Sequence, residues 1–138
     1  MLTKVWTIGI KVPNLEQELA FHRAMGHEIV LDETLEFGGE HYRVPLIRMG
    51  DKYLHIAEKM VYERLLDRPL GYGITHIVYR TDDFEHDRQT AIANGSQGIG
   101  EVAEVSAGFG RRRVAFMRAP SGWMFEIIEV LSDLVPAV

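Results

Sequence analysis

The segment TIGIKVPNLE at residues 7–16 recurs as HIVYRTDDFE at residues 76–85. The register holds without a gap from Thr7 over His76 to Gly26 over Gly95, 69 residues apart throughout. A period of this length marks a duplicated supersecondary unit, which constrains the fold more than composition does. Each copy opens on a short run of β-branched and apolar residues, turns at Pro13-Asn14 or Asp82-Asp83, and enters a helix. Asn14 and Asp83 suit the N-cap, because their side-chain oxygens can accept a free first-turn amide. Both helices stop at glycine, in AMG and ANG, where a left-handed residue carries no Cβ penalty.

The second half of each copy repeats with drift. VPLIR at 44–48 sits over VAFMR at 114–118, 70 residues on, and YLHIAE at 53–58 sits over MFEIIE at 124–129, 71 residues on. Offsets that grow by single residues at turns are what a duplicated module with loop drift produces. The expectation is one α+β domain over residues 1–138, made of two tandem βαβββ modules at about 3–58 and 73–130. The later strands are expected near 27–32, 41–49 and 52–58, then near 97–104, 111–118 and 123–130. Residues 59–72 form the linker, with a helical turn around Tyr62–Leu66, and the tail 131–138 is expected to be loosely held.

Strand alternation then sorts side chains between two faces. In Leu54-His55-Ile56 the aliphatic neighbours take the helix-covered side, which sends His55 to the other. Glu126, His76 and Thr7 follow by the same logic. Thr7 and His76 are equivalent in the two first strands, and His55 and Glu126 in the two last strands. Packed about a pseudo-twofold axis, the four positions converge on one cavity. His55, His76 and Glu126 would then offer a divalent metal two neutral imidazoles and a carboxylate, leaving coordination positions open. Such a metal can polarise a substrate carbonyl or hydroxyl, or activate oxygen. A lone inward histidine is more often a satisfied core residue; the repeat-equivalent placement of three ligand types is what favours a site.

Other candidates are weaker. Tyr53 shares the face of His55 and can serve with Glu126 in proton transfer, or line the cavity rim. In Arg111-Arg112-Arg113 alternation places Arg111 and Arg113 together, either as partners for an anionic substrate group or as a solvated hairpin end. His22, His27 and His86 read as surface residues and His41 as lying near the cavity mouth, while strand parity turns Glu58 and Glu129 away. A formal charge of −5 argues against nucleic acid. The absence of cysteine excludes disulfides, thiolate metal sites and a thiol nucleophile. No apolar stretch reaches signal-peptide or membrane-spanning length, so a cytoplasmic location without membrane contact is expected.

The paired modules, the strand HIVYR at 76–80 and the segment RRRVAFMRAPSGWMFEIIE at 111–129 resemble the vicinal-oxygen-chelate superfamily. This group includes glyoxalase I, extradiol dioxygenases, methylmalonyl-CoA epimerase, and the fosfomycin and bleomycin resistance proteins. The resemblance runs from about Val5 to Val130, and its most specific part is the Pro-Ser-Gly turn followed by Glu126. It implies a partly closed, eight-stranded cup-shaped sheet around a metal, a small-molecule substrate and a homodimer. The family's four ligand positions fall on Thr7, His55, His76 and Glu126. Threonine is a poor ligand, and His55 stands where the relatives carry Glu or Gln. The implied activity is that of a divalent-metal-dependent, dioxygenase-like enzyme, with Fe2+ slightly favoured over Ni2+, Zn2+, Co2+ or Mn2+. A glyoxalase- or epimerase-type lyase or isomerase is the first alternative. A metal-free binding or resistance protein is the second, although it has no need of the inward histidine pair.

Overall fold

Strands β1 (Leu2–Lys11) and β7 (Gly73–Thr81) run antiparallel through the middle of one open sheet. They belong to a computed structural model that describes residues 1–136. Each strand leads into a helix, α1 (Leu15–Ala24) or α2 (Phe84–Ala93). The Asn14 side chain accepts from the Gln17 amide at 3.1 Å, and Asp83 accepts from the His86 amide at 3.4 Å, so both expected N-caps form. Beyond the helices Gly26 and Gly95 take φ values of 81° and 100°, which side chains disfavour.

The chain returns from each helix to lay the last strand of its module parallel to the first. Thus β6 (Lys52–Ala57) pairs with β1, and β11 (Met124–Asp133) pairs with β7. Outside β6 lie β5 (Leu46–Met49) and β2 (Glu28–Leu31); outside β11 lie β10 (Gly110–Arg118) and β8 (Gln97–Gly98). The order β2-β5-β6-β1-β7-β11-β10-β8 is therefore mirrored about the β1–β7 seam, with β9 (Ala103–Ala107) added on β10. This is the α+β cup of two βαβββ modules that the repeat implies.

Helix α1 covers Ile47 and Ile56 with Leu15 and Leu19, while Phe84 of α2 covers Met117, Phe125 and Ile127. Burying each such side chain contributes about 1.5–3 kcal/mol. These two contacts hold the outer face, and the inner face carries a third cluster that includes Trp6, Val78, Phe116 and Ile128.

The structure departs from expectation in three places. The strand expected at 41–49 is two, β4 (Glu40–Arg43) and β5, because Pro45 has no N–H to give a ladder. Freed from the main sheet, β4 pairs with β3 (Thr34–Phe37) around Gly38-Gly39, and this hairpin brings Leu35 and Tyr42 into the inner cluster. The strand expected at 97–104 is likewise divided into β8 and β9. Finally, β11 runs to Asp133, and the Tyr53 hydroxyl donates to the Pro136 carbonyl at 2.5 Å. Residues 131–136 are thus tied down, contrary to the expected loose tail, whose last two residues lie outside those described. The linker holds a one-turn 3-10 helix, Glu63–Leu65, within the expected turn. Among the described residues no helix is long and apolar enough to cross a membrane.

Candidate active site

Gly9 is the centre of the site. On β1 it pairs with His55 of β6 on one side and His76 of β7 on the other. The His76 imidazole lies over the space a side chain would fill, since a Cβ at position 9 would come within 2.1 Å of the His76 ring. On the far side of His76, Nε2 is 3.0 Å from the Glu126 carboxylate. Its Nδ1 is 2.9 Å from the Tyr62 hydroxyl and 3.0 Å from Thr75 Oγ1, and Thr75 in turn donates to the Gly9 carbonyl. Burial, with the nearby Glu126 charge, pushes the Tyr62 phenol well above its usual range, so it stays protonated. Tyr62 therefore donates to Nδ1, and the network assigns the imidazole proton to Nε2, facing Glu126.

The other two positions are open. His55 Nε2 and Thr7 Oγ1 are both shut off from solvent and have no hydrogen-bond partner. Burial, reinforced by His76 and opposed by Glu126, pushes the His55 imidazole down to about 4. It is therefore neutral near pH 7. An unpartnered buried polar atom costs about 1–3 kcal/mol, so two of them lining one cavity point to a ligand that satisfies them. The donor set of two imidazoles and a carboxylate fits a divalent metal, and the free lone pair of His55 supports that fit. Among the described residues, however, no group of three or more His, Cys, Asp or Glu side chains is placed to hold a metal ion. His76 and Glu126 face each other instead, so a metal would enter by replacing their hydrogen bond.

Thr7, His55 and Glu126 line a cavity whose remaining walls are mostly apolar. Trp6 reaches it although its neighbour Thr7 does too. The β1–β7 register shifts between Val5 and Thr7, and the extra residue turns the indole inward. Arg112 is the arginine that reaches the cavity, with 1% of its surface exposed. It donates to the Ser132 carbonyl at 2.5 Å and to Asp133 at 2.8 Å, and its guanidinium lies 4.9 Å from the Trp6 ring. Arg111 pairs with Glu104, and Arg113 with Glu129 at 3.3 Å while stacking on Phe84. The structure thus places Arg111 and Arg113 away from the cavity, because Val114 and Phe116 of the same strand face inward and Arg112 shares their parity.

Tyr53 is on the His55 side of β6 but is fully buried beneath the tail, its ring edge on Trp6 at 5.7 Å. Glu58 serves elsewhere, accepting from the Leu15 amide at 2.9 Å. His22 and His27 bond each other through Nδ1 at 2.8 Å, at the end of α1. Sequence reasoning missed Gly9, Tyr62, Trp6 and Arg112. Gly9 had a signal in the repeat, where a glycine stands over Val78; Tyr62 lies in the linker, which has no counterpart to compare.

Neither protein-family models nor curated sequences match the chain. Solved structures do. Methylmalonyl-CoA epimerase of Streptomyces coelicolor in complex with 2-nitronate-propionyl-CoA is 22% identical, with a TM-score of 0.73 over 96% of this chain and 100% of that one. Methylmalonyl-CoA epimerase of Mycobacterium tuberculosis is 19% identical, with a TM-score of 0.69 over 95% of this chain and 90% of that one. A catechol 2,3-dioxygenase is 16% identical, with a TM-score of 0.65 over 99% of this chain but 43% of that one. What such identities establish is shared architecture, and the chain has the paired βαβββ fold of the vicinal-oxygen-chelate superfamily.

Proposed function

We propose that the chain is an enzyme that moves a proton at a carbon next to a carbonyl group, as epimerases and glyoxalases do. The substrate occupies the cup between the modules, and His55, His76 and Glu126 hold a divalent metal. The observation that carries this reading is the His76–Glu126 hydrogen bond beside the unpartnered His55 Nε2, at one wall of an otherwise apolar cavity. The likeness to the epimerases, which spans both chains almost end to end, supports it.

When bound, the metal supplies polarisation of the substrate oxygens, which makes the neighbouring C–H more acidic. Glu126 takes that proton, since it is the one carboxylate lining the cavity among the described residues. Tyr62 and Thr75 hold the His76 ring in place beside it. Neutral His55 contributes a lone pair without adding charge. The apolar walls exclude water, which strengthens each of these interactions.

Proton NMR in deuterium oxide tests the reading. Loss of the signal from hydrogens next to the carbonyl of α-keto acids and thioesters should be catalysed by the metal-supplied protein. Glu126→Gln should slow this by about a hundredfold to ten-thousandfold with an unchanged far-ultraviolet spectrum. Equal rates for the two proteins would overturn the role of Glu126. The same two-histidine, one-carboxylate set also suits Fe2+ and oxygen chemistry. Oxygen uptake with catechols, in place of proton exchange, would establish that dioxygenase-like reading. The homodimer that the resemblance implies belongs to this proposal and is checked by sedimentation.

A further inference from the structure

We infer that the cup selects a substrate with a branched or aromatic apolar body, carrying no anionic group beyond the oxygens at its reacting end. This rests on the reading of the cup as the substrate site. Leu35, Val105, Phe109 and Phe116 make up walls that offer no hydrogen bond to a ligand from their side chains, and the Trp6 indole N–H beside them is a single neutral donor. A carboxylate pressed against them loses its hydration and gains no partner, whereas an isobutyl or phenyl group gains contact area.

The one guanidinium on the wall does not change this. Arg112 gives its terminal nitrogens to the carbonyls of Phe109, Arg111 and Ser132 and to the Asp133 carboxylate, which also neutralises it. Its remaining Nε–H has no hydrogen-bond partner but is shut off from solvent, and the Trp6 and Phe109 rings lie against the guanidinium at 4.9 and 5.1 Å. Lys11, on the same strand as Thr7, is engaged by Glu63 at 2.8 Å and the Leu70 carbonyl at 3.0 Å. The charge that does face the space is Glu126, which repels a second anion. Arg112 therefore shapes the wall and anchors the C-terminal strand, with its charge already matched by Asp133.

Two α-keto acids of similar size test this, because they share a reacting end and differ in the body. α-Ketoisocaproate carries an isobutyl group where α-ketoglutarate carries a carboxyethyl group, and with it a second carboxylate. Calorimetric titration of the full chain, with manganese present, should give at least about tenfold tighter binding of α-ketoisocaproate. Equal affinities, tighter α-ketoglutarate, or no binding of either would overturn the inference. Leu35→Arg, on the β3–β4 hairpin, places an uncommitted cation on the wall and should narrow the ratio by tightening α-ketoglutarate. An unchanged ratio in the folded variant would count against the inference, and the wild-type comparison stands without it. Deuterium exchange with the same acids separates the two proposals. A binding preference without exchange preserves the selectivity and removes the proton-transfer reading; exchange without a preference does the reverse.

Discussion

The two modules repeat one sequence pattern, and what separates them is the use each makes of the same positions. The second module supplies a finished pair, His76 and Glu126, bonded to each other at 3.0 Å. The first supplies atoms with nothing to bond, His55 Nε2 and Thr7 Oγ1. At position 9 the first module has no side chain, and the His76 ring fills that space; its counterpart Val78 keeps its side chain in the wall. Pro45 breaks the strand that runs unbroken through Ala115 in the second module, and the hairpin it frees becomes a cavity wall. The cup therefore has an open side and a preassembled side.

Exchanging the treatment of equivalent positions should break the comparison most. Gly9→Ala should lower proton transfer by roughly a hundredfold, because the new methyl displaces the His76 ring and small misplacements of catalytic groups are costly. Val78→Ala, the equivalent change in the second module, should leave the rate nearly intact and cost about 2 kcal/mol in a denaturant titration. A metal on His76 Nε2 leaves the ring proton on Nδ1, where the Tyr62 oxygen can accept it; Tyr62→Phe removes that partner and should weaken metal affinity about tenfold to a hundredfold, read by competition with a chromogenic chelator.

A smaller effect comes from the open side. The His55 pKa of about 4 in the folded chain lies below the ordinary 6.5, so the unfolded chain takes up that proton first. Stability of the metal-free protein from this group is full above about pH 6.5 and falls as the pH drops toward 4. His55→Gln should flatten that fall in thermal unfolding measured across the window. The smallest effect is expected at Arg111, whose exposed pairing with Glu104 lies outside the cavity. Arg111→Ala should change stability by no more than about 0.5 kcal/mol and leave substrate affinity unaltered.

The modules were legible in the sequence because a repeat constrains register over long stretches, and strand parity then sends Thr7, His55, His76 and Glu126 to one face. The inward arginine was harder. RRRVAFMR is apolar on both faces beyond the arginines, so alternation alone separates Arg112 from its neighbours without saying which side is inside. Counting out from the Pro-Ser-Gly turn, which sets Phe116 opposite Glu126, would have pointed to Arg112. The Trp6 bulge left no such trace, since an extra residue in a ladder depends on the partner strand. Tyr62 reaches His76 through the fold of the linker, where neither period nor repeat applies.

Metal affinity of the wild-type chain beside His55→Ala and Glu126→Ala tests most directly whether the two modules build one centre. One divalent ion per chain, with affinity falling at least about a hundredfold in each variant, is the result expected when ligands from both halves hold one ion. Full affinity in both variants, or no metal bound by the wild type, would contradict the shared centre.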